Sequence, residues 1–171
     1  FLAFMSGIAS DARKFQDLAG EKVAILDTRK TLPGYRALSK YAVGVGGANN
    51  HRMGLYDMVL IKDNHIDRAG SIRKAVDSVR KTHGDRYRIE VECRTREDVV
   101  ESISLRVDVI MLDNMTSEEM SGCVALRKPG ISFEASGNMN LDRITEVGQT
   151  GVDSISVGAL THSVRAFDFS L

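Results

Sequence analysis

RIEVECRTREDVVESISLRVDVIMLD, residues 88–113, contains one complete turn of the pattern that builds this chain. RIEVEC (88–93) and VDVIMLD (107–113) are short runs rich in Val, Ile and Leu, the composition of strands buried in a sheet. Between them TREDVVESISL reads as a helix, because Thr95 with Asp98 makes an N-terminal capping box in which Asp stands in for Glu. Strands that are apolar along most of their length and linked through a helix imply a parallel sheet buried on both faces.

The same alternation continues in both directions. Upstream lie VAILDT (23–28), VGVGG (43–47) and DMVLIK (57–62), each read as a strand. They are joined by a short helix, YRALSKYA, that opens after Pro33-Gly34. HIDRAGSIRKAVDSVRKTHG (65–84) follows as one amphipathic helix ending at Gly84. Downstream come the helix TSEEMSGCVALR, the strand GISFEASG (130–137), the helix NLDRITEVGQTG, the strand SISVG (154–158) and a final LTHSVRAF. FLAFMSGIASDARKF reads as a helix already under way at Phe1, which is not an initiator Met, so a fragment or processed piece of a longer chain is expected. Seven strand-like runs fit either a β/α barrel or an open doubly wound sheet. An eight-stranded barrel takes about 250 residues, so 171 residues predict an incomplete, roughly seven-stranded parallel α/β barrel of TIM-like type, one domain over 1–171.

The polar residues decide between the two architectures. Asp27-Thr28-Arg29-Lys30, Lys62-Asp63-Asn64, Glu92, Asp113-Asn114, Glu134-Ser136-Gly137 and Gly158 all fall at the carboxyl ends of their runs. A barrel gathers those ends on one rim, where its active site forms. An open sheet brings together only the ends beside its switch point.

Lys plus Arg and Asp plus Glu both number 23, so no overall basic field points to nucleic acid. Any anion affinity is therefore local. Cys93 and Cys123 form no CxxC pair and no metal spacing and read as reduced thiols of a cytoplasmic protein. No apolar run is long enough to span a membrane.

Three groups carry the chemistry. Arg29, Lys30, His51, Arg52 and Lys62 lie at strand ends and in glycine-rich loops, where guanidinium forks and ammonium points suit a substrate with several negative charges. Glu92 and Asp113 end successive strands, and acids on a cationic rim suit sugar hydroxyls, a divalent metal or a developing positive charge. Glu90, on the same strand face as Glu92, reads as structural. Ser136-Gly137 and Gly158 precede helices, where backbone N–H groups hold phosphate, with His162 one turn further on. His65, at a helix start, reads equally as a functional residue or as a cap, and His83 reads as solvated. Together they describe transfer of a phosphorylated sugar between anionic groups.

DTRKTLPG, GGANNHRMGLYD, VLIKDNHI, IEVEC, IMLDNMT, FEASGNMN and ISVGALTHS, in this order, closely resemble the quinolinate phosphoribosyltransferase family (nicotinate-nucleotide pyrophosphorylase, carboxylating). The resemblance runs nearly end to end. It implies the family's incomplete barrel and its reaction: quinolinate and phosphoribosyl pyrophosphate give nicotinate mononucleotide, pyrophosphate and CO2, with Mg2+. It puts the quinolinate-binding and catalytic roles on Arg29, His51, Arg52 and Lys62, with Lys30 and Lys62 near the pyrophosphate. Glu92 and Asp113 meet the ribose hydroxyls and the metal, directly or through substrate or water, while Ser136, Gly137, Gly158 and His162 hold the 5′-phosphate. The family works as a homodimer or higher homo-oligomer, with no nucleic-acid or membrane partner. Its N-terminal α/β domain, which covers the barrel mouth of the partner subunit and adds an Arg to the quinolinate site, has no counterpart in these residues, so weak or absent activity of this chain alone is expected. A paralogue associated with molybdenum transport operons shares the RK, PG and HR motifs but lacks the Lys-Asp-Asn-His run at 62–65. The same residues also admit a Schiff-base aldolase that uses Lys62, or a barrel that is catalytically inert.

Overall fold

The structure, a computed structural model, describes residues 1–170. The apolar stripe Ile8, Ala12 and Phe15 makes residues Leu2–Ala19 a helix, α1, packed inward on that side. Then follow β1 (Ala24–Leu26), α2 (Arg36–Val45), β2 (Val59–Ile61), α3 (Asp63–Ala69), α4 (Ile72–His83) and β3 (Ile89–Cys93). The chain continues through α5 (Arg96–Ser104), β4 (Val109–Asp113), α6 (Ser117–Val124), β5 (Ser132–Ser136), α7 (Leu141–Gly148), β6 (Ser154–Ser156) and α8 (Ala159–His162). The six strands form one sheet in the order β1-β6-β5-β4-β3-β2, and every pairing is parallel.

The sheet curls into an incomplete barrel. Its two ends, β1 and β2, do not pair, and the segment 49–52 fills the gap. Asn49 makes a parallel bridge to Leu26 of β1, and Arg52 Nη1 donates to the Met58 carbonyl beside β2 at 3.1 Å. His51, in the same segment, reaches Glu90 of β3 at 3.2 Å and Glu134 of β5 at 3.6 Å. Only a curved sheet brings three such distant positions together.

Two expectations are corrected. The seventh strand, VGVGG, is absent: residues 43–45 finish α2, whose buried Ser39, Lys40, Ala42 and Val43 follow the helical period. What remains of that strand is the single bridge at Asn49. The helix expected over 65–84 is two helices. Gly70 takes the left-handed conformation at φ 90° and closes α3, and the Ser71 hydroxyl restarts the chain by accepting from Lys74 N. The capping box at Thr95 and Asp98 is present as read, and Thr116 with Glu119 makes another at α6.

Both sheet faces are buried, with different contents. Strand side chains alternate, and the outward set, including Ile25, Ile61, Val91, Ile110, Leu112, Phe133 and Ile155, joins the helices in one apolar core. The inward set is mixed, with Leu60, Val109 and Met111 among polar side chains. Glu90, Glu92, Glu134 and Ser156 are all buried, and the register places Glu92 opposite Met111, Met111 opposite Glu134 and Asp113 opposite Ser136. Apolar burial on the outside secures the strands, and the inside is left free for chemistry. Cys93 and Cys123 belong to the outer core and are free thiols.

Candidate active site

All eleven residues assigned to the site by sequence are gathered at the carboxyl end of the barrel, in two adjoining cavities. The inner one, about 200 Å³, is lined by Arg29, Lys30, His51, Arg52, Lys62 and Ser136 together with Asp27, Thr28, Leu60, Met111 and Ser156. The outer one, about 680 Å³, is lined by Lys30, Lys62, Glu92, Asp113, Ser136, Gly137, Gly158 and His162. Thr28, Lys30, Lys62, Ser136 and Ser156 border both, so the two are continuous.

The inner cavity is lined by cationic side chains. Arg29 and Arg52 enter it from the two ends of the 29–52 connection, and burial pulls the Arg52 guanidinium below the usual arginine range, with the like charge of Arg29 adding to the effect. Two guanidinium groups that repel each other in a half-buried pocket gain most from a ligand with two negative charges. Arg29 Nε is buried with no hydrogen-bond partner, a donor without an acceptor.

In the outer cavity Lys62 Nζ donates to Glu92 Oε2 at 2.7 Å. Asp113 Oδ2 accepts from Asn114 Nδ2 at 2.7 Å. Gly137 has φ +95°, and a Cβ there would lie 2.2 Å from Asn114 Oδ1, so both backbone and space require glycine. A Cβ on Gly158 would lie 2.9 Å from His162 Nε2, which sets the imidazole directly beside that turn. Of the two readings the sequence left open for His65, the structure shows the cap, with Nδ1 accepting from Lys62 N at 2.9 Å.

His51 is placed differently from a simple anion ligand. Its Nδ1 accepts the Arg52 backbone N–H at 2.8 Å, so in the neutral ring the proton sits on Nε2, which faces Glu90 and Glu134. The three groups lie within 4.8 Å of one another, close enough to hold a cation. The Arg52 N–H on Nδ1 opposes that use, since a metal on Nε2 would require a second hydrogen on the side already occupied. Burial, then the neighbouring Glu90 charge, raises the Glu134 carboxyl well above its ordinary 4.5. Ser156 Oγ donates to Glu134 Oε1 at 2.5 Å.

A folded carboxyl raised in this way favours the native state while protonated, and that contribution is lost as pH rises toward its folded value. Glu134→Gln, which mimics the protonated group, is therefore expected to match the parent in stability below pH 4.5. Above it the variant becomes progressively the more stable of the two. Urea unfolding of both proteins across the acid-to-neutral range checks this, and a parent that gains on the variant as pH rises would refute the upward shift of Glu134.

Sequence reasoning missed Arg36 and Lys40 of α2 and underused Thr28 and Ser156. Thr28 lay inside a polar run already singled out, and Ser156 follows from strand alternation. Nothing in the local pattern of α2 marks either basic residue.

Residues 8–171 match the family model described as quinolinate phosphoribosyl transferase, C-terminal domain. The chain is 45% identical over 168 residues to a probable nicotinate-nucleotide pyrophosphorylase [carboxylating] of Bacillus subtilis, covering 98% of this chain and 58% of that protein. With the chloroplastic nicotinate-nucleotide pyrophosphorylase [carboxylating] of Arabidopsis thaliana it shares 46% identity, over 100% of this chain and 54% of the relative. The crystal structure of NadC from Streptococcus pyogenes superposes with a TM-score of 0.94 at 38% identity, covering 99% of this chain and 60% of that one. The nicotinate-nucleotide pyrophosphorylase structure from Ehrlichia chaffeensis gives 0.94 at 43%, over 98% and 61%. The chain thus spans between 54% and 61% of the length of these proteins.

Proposed function

Since this chain belongs to the quinolinate phosphoribosyl transferase C-terminal domain family, we propose that it carries the site at which phosphoribosyl pyrophosphate reacts with quinolinate to give nicotinate mononucleotide, pyrophosphate and CO2, a step of NAD biosynthesis. The observation that carries the reading is the paired cavity. A small receptor with Arg29 and Arg52 for two carboxylates opens directly onto a larger one with acids and glycine turns for a ribose phosphate.

In this reading Arg29 and Arg52 hold the pyridine dicarboxylate, and Lys30 and Lys62 stand between it and the pyrophosphate. Glu92 and Asp113 meet the ribose hydroxyls, and Ser136, Gly137, Gly158 and His162 hold the 5′-phosphate. The pyridine nitrogen is already a nucleophile, so no base is needed. The barrier is departure of pyrophosphate from C1′ through a cationic sugar, and alignment of two anions with neutralisation of the leaving group supplies most of the catalysis. Loss of CO2 from C2 leaves an electron pair stabilised by the adjacent ring cation, and a proton is taken up there.

Mg2+ fits one of the two acids better than the other. Glu92 already faces the Lys62 ammonium at 2.7 Å, whereas Asp113 offers hard oxygen to a cation that arrives with the pyrophosphate, the usual manner for Mg2+. When bound, the ion neutralises part of the leaving-group charge. The Lys62–Glu92 contact also occupies the nitrogen that a Schiff-base aldolase would need free to attack a carbonyl. We further propose a homodimer or higher homo-oligomer in a reducing, cytoplasm-like compartment. Tyr41, Val45, Leu55 and Tyr56 leave large apolar side chains exposed on the elements flanking the receptor.

Calorimetry tests the site. The chain is expected to bind phosphoribosyl pyrophosphate with Mg2+ and, separately, quinolinate, and binding of neither would overturn the assignment. Nicotinate mononucleotide formation by the parent protein then tests the reaction itself.

A further inference from the structure

The barrel lacks one strand, and the segment that replaces it carries Arg52. A bridge at a single residue, Asn49, is a weak hold for a side chain that must meet a ligand at a set distance. Helix α2 supplies the rest. Lys40, one of the largest fully buried side chains, is 1% exposed and pairs with the completely buried Asp27. Its Nζ also donates to the His51 carbonyl at 2.9 Å. Asp27 in turn accepts the His51 backbone N–H at 2.9 Å and Asn50 Nδ2 at 2.8 Å, while Asn50 Nδ2 lies 2.9 Å from the Lys40 carbonyl.

One helical turn earlier, on the same face of α2, Arg36 reaches both arginine-bearing segments. Its Nη2 donates to the Arg29 carbonyl at 3.3 Å and its Nη1 to the Met53 carbonyl at 3.3 Å. Arg36 and Lys40 touch neither cavity wall. Arg36 bonds the carbonyls of Arg29 and Met53 and Lys40 that of His51, so both hold the backbone of residues that line the inner cavity or adjoin it. A buried ion pair is a poor source of stability, because desolvation offsets most of its attraction, and its best-attested use is to specify one arrangement.

We propose that Arg36 and Lys40 of α2, with Asp27, are positioning residues: they lock the Arg29 loop and the 49–53 segment to each other and so set the spacing of the two guanidinium groups that receive the substrate's carboxylates. The proposal rests on the reading of the inner cavity as the dicarboxylate site. The lock stands where a barrel strand would otherwise stand. It acts most strongly on quinolinate binding, because the outer cavity shares only Thr28 and Lys30 with the locked segments and takes its other walls from Lys62, β3 to β6 and the loops after them.

Two variants test it on the 171-residue chain. Arg36→Met keeps the apolar stem and removes both bonds. Lys40→Met combined with Asp27→Asn removes the ion pair without leaving an unpaired buried charge. In either, amide exchange followed residue by residue by NMR is expected to accelerate at least about tenfold at His51 and Arg52 or at Lys30 and Thr31, with Ile110 and Leu112 unchanged. The dissociation constant for quinolinate is expected to rise about tenfold or more, with that for phosphoribosyl pyrophosphate and Mg2+ altered by less than about threefold. Arg36→Lys, which can satisfy one carbonyl, is expected to fall between.

A purely structural role would weaken both ligands together and speed exchange throughout the sheet, and that outcome overturns the proposal. So does unchanged exchange in both variants, or local loosening with quinolinate affinity intact. Should the parent chain bind no quinolinate, the functional reading fails and the exchange data alone decide whether α2 positions the segment. Should the double variant not fold, Arg36→Met carries the test.

Discussion

Arg52→Ala is expected to weaken quinolinate binding by between about thirtyfold and several thousandfold, since truncating one partner of a desolvated charge pair costs about 2–5 kcal/mol. Phosphoribosyl pyrophosphate with Mg2+ is expected to bind within about threefold of the parent, because Arg52 lines the inner cavity and has no part in the outer one. Asp113→Asn is expected to show the reverse, as Asp113 lines the outer cavity alone. Calorimetric titration of each variant with each ligand gives a crossed pattern if the cavities have the roles assigned. Equal losses for both ligands in Arg52→Ala would mean that one undivided site, or general unfolding, explains the data. Arg52→Lys separates charge from shape. It keeps the positive charge and loses both the planar fork and the bond from Nη1 to the Met58 carbonyl, so an intermediate loss is expected.

The second large effect concerns the frame rather than the site. Phe133, in the middle of β5, is completely buried on the helix-facing side of the sheet. The Arg127 guanidinium lies 5.2 Å from its ring centre. Phe133→Ala removes a full aromatic ring from a packed layer and leaves a cavity, which costs about 3–5 kcal/mol. For a domain of this length that corresponds to a melting midpoint lower by about 10 °C. Differential scanning calorimetry and urea unfolding are the measurements. Val100→Ala, at a side chain 49% exposed on α5, is the control, with an expected change within about 0.5 kcal/mol. If the two substitutions had similar effects, the outer layer would not be the core that holds the barrel.

These two experiments address separate halves of one design. Alternation along each strand sends the apolar core outward to the helices and gathers the polar side chains on the inner face, so most of the stability and the candidate chemistry lie on opposite faces of the same sheet. Loss of Phe133 should lower stability before it alters selectivity between ligands. Loss of Arg52 should do the opposite.

Much of this was legible in the chain itself. Val/Ile/Leu runs ending in charge or glycine, each followed by a capped helix, determined the parallel α/β class. The polar carboxyl ends pointed to one rim, and the eleven residues read from those ends, the glycine-rich loops and the last helix stand around the two cavities there. Those signals are local: they depend on period, capping chemistry and the end of a run. What they could not carry is which distant side chains meet. VGVGG looks like a strand by composition, yet packing of Ala42 and Val43 against the core makes it helix. The break at Gly70-Ser71 needed the left-handed turn to be seen. Lys40 looks like a surface residue on a short helix, but the tertiary fold buries it against Asp27. Glu90 and Glu134, 44 positions apart (134 − 90), both face His51 only because the sheet is curved. Residues 88–113 identify the repeating unit. Curvature decides what faces what across the inside, because contact across a barrel depends on the sum of all its turns and on no single stretch of sequence.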